Sequence, residues 1–283
     1  MKHIASRDNP AWKTLVRLCH SSRDRRKLGK CVLEGPHTVA AYLDRFGPPE
    51  MIVVSESVLG VPEIGALIER LESGHVVAAS ARLFGELALT PTPTGILAVI
   101  ARPQPRSVSP GAFSILLDGV QDPGNVGTIL RSAAAAGVTH AFLSPECAFA
   151  WSPKVLRAGQ GAHFYFEIVE GADLVALARA FAGTVVATTP AGGVPVFESD
   201  LRGPLMLLVG NEGAGLSGEL LAAATRRVAI PMPGGFESLN AASATAICLF
   251  EKVRQESLVA ELDRPARGHP AHGKRGLSLR EGQ

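Results

Sequence analysis

The sequence is sparing in the residues from which many catalytic centres are built. Its four cysteines, Cys19, Cys31, Cys147 and Cys248, form no C-x-x-C pair and join no Cys/His cluster of zinc spacing, which argues against a structural metal. The eight histidines, at 3, 20, 37, 75, 140, 163, 269 and 272, are scattered along the chain. A histidine-based nucleophile relay or a metal hydrolase would be hard to build from them. Neither a Gly-x-Ser-x-Gly elbow nor a His-Glu-x-x-His helix occurs. The Gly-Lys-Ser/Thr phosphate loop and the G-x-G-x-x-G dinucleotide fingerprint are also missing. An apolar signal region is lacking at the amino terminus, and no uninterrupted apolar run reaches about 18 residues. The chain therefore reads as cytoplasmic, with reduced thiols and no membrane span.

What the chain does contain is a soluble, globular composition of 283 residues, 46% of them hydrophobic, long enough for two domains. The net charge of +2 hides an asymmetry. Residues 1–30 carry nine Lys or Arg against Asp8 and Asp24, a local +7, so the remainder is acidic by 5. Arg7, Arg23, Arg25, Arg26 and Lys27 belong to this basic arm. Such an arm fits a polyanionic partner, and it also fits a solvated helical face.

Strand-like and helix-like segments alternate over residues 1–101, which predicts a small α/β domain. Residues 102–111 hold three prolines and two serines with no apolar period, an extended linker. Alternation resumes over 112–257, with candidate strands at 114–118, 140–143, 163–168, 184–188, 205–209 and 227–230. Short apolar strands flanked by helices predict a parallel sheet covered on both faces, and ligands of such sheets bind beyond the carboxyl ends of the strands. From 258 to 283 the chain turns polar and Gly/Pro-rich, the composition of a disordered tail.

Three glycine-rich loops fall at predicted carboxyl ends. The third organises the chain: Ile230 to Ile247 runs from a strand end through two prolines and two glycines into a helix that Ser238 or Asn240 could cap, built from Ala, Ser and Thr. The first, Asp118 to Ser132, carries Asn125, Gly127 and Arg131. Arg131 is either a surface arginine or a clamp for a phosphate or carboxylate. The second, Gly210-Asn-Glu-Gly-Ala-Gly-Leu-Ser217, puts Glu212 among three glycines, more than a plain turn needs. Residue by residue, this amounts to a small-molecule pocket with one Glu, one Arg and Ser/Asn groups.

In this order and spacing, Asn125-x-Gly127 with Arg131, then Gly210 to Ser217, then Ile230-Pro-Met with Glu237-Ser-Leu-Asn240, resemble the three motifs of the SpoU (TrmH-like) RNA ribose 2′-O-methyltransferases of the SPOUT superfamily. Ser6 to Pro10 and Leu33 to Pro36 resemble the amino-terminal RNA substrate-binding domain that many members carry. The resemblance covers about 250 residues, all but the tail. It implies a parallel-sheet α/β methyltransferase domain closed by a carboxyl-terminal trefoil knot, a homodimer, and S-adenosylmethionine as methyl donor. By position it implies cofactor contacts at Thr188, Gly210, Ile230 and Leu239. Arg131 is implied as the central catalytic residue, reaching from the partner subunit, while Asn125, Glu212, Ser238 and Asn240 orient substrate and loops; no metal is required. A guanidinium does not readily give up its proton, so Arg131 is read as clamping the neighbouring phosphate and lowering the pKa of the 2′-hydroxyl.

RNA affinity would come from phosphate contacts by Arg7, Arg23, Arg25, Arg26 and Lys27, with little base stacking since aromatics are few. Ribosomal RNA is the favoured substrate and transfer RNA the runner-up. A non-catalytic RNA-binding or ribosome-assembly factor of the same fold is a competing reading, as is a base methyltransferase of the superfamily.

Overall fold

The computed structural model describes residues 1–71, 74–89, 93–107, 109–190 and 192–262. Its amino-terminal part contains β1 (Lys2–Ile4), α1 (Pro10–His20), α2 (Ser22–Leu28), β2 (Lys30–Glu34), α3 (Pro36–Phe46), β3 (Met51–Ser55), α4 (Pro62–Glu69), β4 (Val76–Ala79), α5 (Ala81–Phe84) and β5 (Ile96–Ala101). These strands form one sheet in the order β1-β4-β3-β5-β2, with β5 antiparallel to both neighbours. Local chemistry starts the helices: Asn9 caps α1, and Pro10 then supplies a preset first turn. Trp12, Leu15, Leu18 and Cys19 lie on the buried face of α1, as their helical spacing requires. The basic stretch after it is a helix of its own, α2, ended by Gly29 in the left-handed region at φ +61°.

The second part contains β6 (Phe113–Leu117), α6 (Pro123–Ala135), β7 (His140–Leu143), α7 (Pro153–Gly159), β8 (Glu167–Glu170), α8 (Leu174–Ala180), β9 (Thr184–Thr188), β10 (Val194–Pro195), β11 (Leu205–Val209), α9 (Gly218–Ala223), β12 (Arg226–Ala229) and α10 (Ala241–Leu262). Seven strands pair in parallel in the order β10-β12-β9-β11-β6-β7-β8. Alternate residues along each strand feed two cores. Ile115, Leu117, Leu205, Leu207 and Val209 face one side with Ile129 and Leu130 of α6 and Leu249 of α10. Leu116, Met206 and Leu208 face the other side with Leu174 of α8 and Leu220 of α9.

The two sheets share a core. The cluster containing Ile115 and Trp151 also holds Leu33, Ile52 and Ile100 of the amino-terminal sheet. Polar contacts reinforce this junction. The Arg26 guanidinium lies 4.5 Å from the centre of the Phe149 ring, Arg45 lies 5.3 Å from that of Tyr165, and Arg102 donates to Glu170 at 3.4 Å.

A strand expected over His163–Ile168 begins instead at Glu167, because Ala162–Phe164 form a 3-10 turn. His163 is buried there as a plug: its Nε2 bonds the Ala150 carbonyl at 2.8 Å, and its ring centre lies 5.3 Å from that of Trp151. Burial pushes its pKa down to about 4, so it is neutral at physiological pH.

The carboxyl-terminal helix is pinned along its length. Lys252, 5% exposed, donates to the Leu201 and Gly203 carbonyls at 3.3 and 2.8 Å and to Glu256 at 2.7 Å. Gln255 bonds Leu201 and Ser199. This helix continues to Leu262, so residues 258–262 of the expected tail are helical, while 263–283 lie outside the described residues. Among the described residues, no helix is long and apolar enough to cross a membrane.

Candidate functional site

All three glycine-rich loops leave carboxyl ends of the parallel sheet, after β6, β11 and β12. Strands β6 and β11 are neighbours from which the chain runs to opposite sides, the switch point at which such sheets form a crevice.

Each loop is shaped by its own hydrogen bonds. In the second, Asn211 and Gly215 exchange backbone bonds of 2.9 and 3.0 Å, and the Asn211 side-chain oxygen accepts from the amides of Gly213 and Ala214 at 2.9 Å each. Gly215 takes φ +71° to close this turn. A Cβ on Gly210 would collide with the Gly215 carbonyl carbon and the Leu216 amide nitrogen, so backbone meets backbone there. In the first loop, Asp122 caps α6 by accepting from the Asn125 amide at 2.7 Å. For the third, Asn240 and not Ser238 caps α10, accepting from the amides of Ala242 and Ser243 at 2.9 and 3.3 Å.

One polar chain ties the loops together. Asn240 Nδ2 donates to Asn125 Oδ1 at 2.8 Å, and Asn125 Nδ2 donates to Glu212 Oε1 at 2.9 Å. The Glu212 carboxylate also accepts from the amides of Gln121 and Asp122, each at 3.3 Å. Burial alone would raise the Glu212 pKa, but the Asn125 donor and the surrounding amides outweigh it and hold the carboxyl below its ordinary value. Two further bonds brace the first loop to the second. Asn211 donates to the Gly119 carbonyl at 2.7 Å, and the Ser217 amide donates to Asp118 at 2.8 Å. Asn211 and Asp118 were not singled out in the sequence, although both stand inside the glycine-rich stretches.

The second and third loops, with the end of β9, enclose a cleft of about 700 Å³. Thr188, Gly210, Ile230 and Leu239 all line it, as do Glu212, Ser238 and Asn240. Thr188 is fixed by donating to the Leu208 carbonyl at 3.0 Å. Asn125 does not line the cleft but grips two residues that do. Arg131 is separate: it lines a second cleft, of about 590 Å³, between α6, α7 and the amino-terminal sheet. The sequence grouped it with the other four, and helix geometry explains the difference. Arg131 follows Asn125 by six residues, which turns it about 240° around α6.

The basic arm also differs from expectation. Arg25 is 6% exposed and donates to the Leu18 and Cys19 carbonyls at 2.7 and 2.9 Å, closing the end of α1, so it is not available to RNA. Arg26 covers Phe149, and Arg7 pairs with Glu86. Arg7, Arg23, Arg26 and Lys27 all stay exposed. Cys19, Cys31 and Cys248 are buried, and burial pushes each thiol up to about 12. No group of three or more His, Cys, Asp or Glu capable of holding a metal occurs among the described residues.

Comparison with known proteins bears on this arrangement. Residues 112–250 match the SpoU rRNA Methylase family, and residues 9–98 match an MRM3-like substrate binding domain. An uncharacterized tRNA/rRNA methyltransferase of Synechocystis is 34% identical, with 89% of this chain and 94% of that protein covered. The Bacillus subtilis 23S rRNA (guanosine(2553)-2′-O)-methyltransferase is 33% identical, over 88% of this chain and 98% of its own. Among solved structures, the SpoU methyltransferase AviRb of Streptomyces viridochromogenes, in complex with the cofactor AdoMet, superposes with a TM-score of 0.77 at 28% identity, over 88% of this chain and 98% of that one.

Proposed function

The chain belongs to the SpoU rRNA methylase family, and from that premise we propose that it transfers a methyl group from S-adenosylmethionine to a ribose 2′-hydroxyl of ribosomal RNA. The observation that carries this reading is the cleft of about 700 Å³ between the second and third family loops, with Thr188, Gly210, Ile230 and Leu239 on its wall. Its chemistry fits the cofactor. Gly210, packed backbone to backbone on Gly215 and Leu216, carries no side chain on the cleft wall, while Ile230 and Leu239 offer apolar faces to a purine. When bound, S-adenosylmethionine supplies an electrophilic sulfonium methyl.

The chain's own residues must align the hydroxyl, accept its charge as the proton leaves, and hold the adjacent phosphate still. Glu212 is a poor candidate for proton removal, because its carboxylate is engaged by Asn125 and two amides and held below its usual pKa. It acts with Asn125 and Asn240 as a positioning group that fixes the three loops. Ser238, exposed at the mouth, orients the substrate. Arg131 clamps the phosphate beside the reacting ribose.

Arg131 does not line its own chain's cofactor cleft, which supports action on the partner subunit in a homodimer. Phe236, 78% exposed, and Phe250, 46% exposed, are apolar side chains that fit a surface covered by a second copy. A trefoil knot around α10 and a cytoplasmic location belong to the same proposal. So does the division into an RNA substrate-binding domain at 1–101, a linker at 102–111 and a methyltransferase domain at 112–257. Replacing Arg131 by Ala is expected to abolish methyl transfer while calorimetry still registers S-adenosylmethionine binding; loss of cofactor binding would remove the clamp role.

A further inference from the structure

Of the amino-terminal cations, Arg25 is buried on backbone carbonyls, while Arg26 and Arg7 are exposed but each already holds a contact within the protein. A different set stands open. Helix α7 carries Lys154 and Arg157, three residues apart and therefore on one face, both exposed. Together with Arg131 of α6 they line the 590 Å³ cleft. No hydrogen-bond or ion-pair partner engages these three charged groups among the described residues. The far wall is Glu34 and Leu89 of the amino-terminal part, and Asp122 and Gly124 of the first glycine loop form one end. The cleft thus runs from the first glycine loop to the amino-terminal sheet.

Its framework is stiff. Gly127 of α6 sits so close to α7 that an added Cβ would stand 2.6 Å from the Val155 carbonyl oxygen. This contact holds Arg131 in a fixed relation to Lys154 and Arg157. Three cations face two carboxylates in the lining, Glu34 and Asp122, an excess of one positive charge. Positive potential is therefore concentrated on the α6–α7 side. Among the described residues no aromatic ring lines the cleft, so it suits a sugar-phosphate backbone better than stacked bases.

We propose that Lys154 and Arg157, with Arg131, form a phosphate-binding track for the RNA strand that passes from the reacting ribose toward the amino-terminal domain. This rests on the methyltransferase reading above for the identity of the polyanion. Lys154 and Arg157 are positioning residues: they hold the strand and touch neither the methyl nor the hydroxyl.

The test is the variant Lys154→Ala/Arg157→Ala in the full-length protein, with protein-free ribosomal RNA from cells lacking the gene as probe. Filter binding across a salt series should show affinity falling roughly tenfold or more at low salt, and the slope of log K against log salt shallower by about 1.4, two single-strand phosphate contacts. KM for RNA should rise while kcat at saturating RNA stays near wild type. The swap Lys154→Arg/Arg157→Lys should keep the wild-type slope. So should Arg179→Ala/Arg227→Ala, a matched loss of charge on α8 and β12. Unchanged S-adenosylmethionine binding establishes that the variant is folded. A folded variant with wild-type affinity and slope overturns the track, as does an equal loss in the Arg179/Arg227 control. Should the wild-type protein transfer no methyl group, the methyltransferase reading fails, yet the salt slopes still decide the track.

Discussion

Replacing Asn125 by Asp would turn the centre of the loop network against itself. The carboxamide now donates to Glu212 at 2.9 Å and accepts from Asn240 at 2.8 Å. Asn125→Asp keeps the second bond and replaces the first with two facing carboxylates. Unit charges relaxed to about 4 Å repel by about 4 kcal/mol at a protein surface and about 1 kcal/mol in bulk water. Glu212 is exposed, so a value near 2 kcal/mol applies, about thirtyfold in the population of the closed loops. Calorimetry with S-adenosylmethionine at pH 8 should register that loss, and methyl transfer should fall by at least as much. Asn125→Ala, which loses the bonds without adding charge, should be less impaired. The sign with pH is also fixed: protonating either carboxylate removes the repulsion, so Asn125→Asp should recover as pH falls toward 5 while Asn125→Ala does not. Adding Glu212→Gln should restore most of the binding, since the introduced amide can donate to the introduced carboxylate. Equal behaviour of the Asp and Ala variants at pH 8, or no rescue by Glu212→Gln, would refute the network as the device that sets the loops.

Two other expectations come from single residues. Gly210→Ala forces a Cβ onto backbone of the second loop with no flexible side chain to yield, a cost of about 1–3 kcal/mol, so S-adenosylmethionine affinity should drop about fivefold or more in calorimetry; wild-type affinity would mean that Gly210 is not at the cofactor's backbone contact. His163 is buried neutral with its pKa near 4, whereas the unfolded chain protonates near the ordinary histidine value of about 6.5. Its contribution is therefore complete above about pH 6.5 and is lost as pH falls toward 4, up to about 3 kcal/mol. The gap in urea stability between wild type and His163→Gln should narrow over that window, and a constant gap would contradict the buried-neutral assignment.

Much of the site is written locally and could be read from the residues. A strand that ends in glycines and a small-residue helix announces itself, so the three loops and a cap at Ser238 or Asn240 were legible, while the four cleft residues at 188, 210, 230 and 239 came from the family resemblance. What escaped depends on phase and on contacts between distant segments. Arg131 faces a different cleft from the one bordered by Asn125's partners Glu212 and Asn240, because α6 turns it away. Arg25 is chemically no different from Arg23, and only the packing of α2 against α1 buries one and exposes the other. Strands of three and two residues, β1 and β10, are too short for an apolar period and exist because they pair with β4 and β12. The shared core between the two sheets, and with it the cleft holding Lys154 and Arg157, arises from residues more than 100 positions apart, such as Leu33 and Phe164.

The central claim is methylation of a ribose in ribosomal RNA, and nucleoside analysis tests it most directly. Purified protein, S-adenosylmethionine labelled in the methyl group and total RNA from cells lacking the gene would be incubated, and the RNA fractionated, digested and separated by chromatography. The account predicts label in a 2′-O-methylnucleoside derived from one ribosomal RNA. Label in a methylated base, or in transfer RNA alone, would contradict it, as would no transfer to any RNA by a protein that still binds the cofactor.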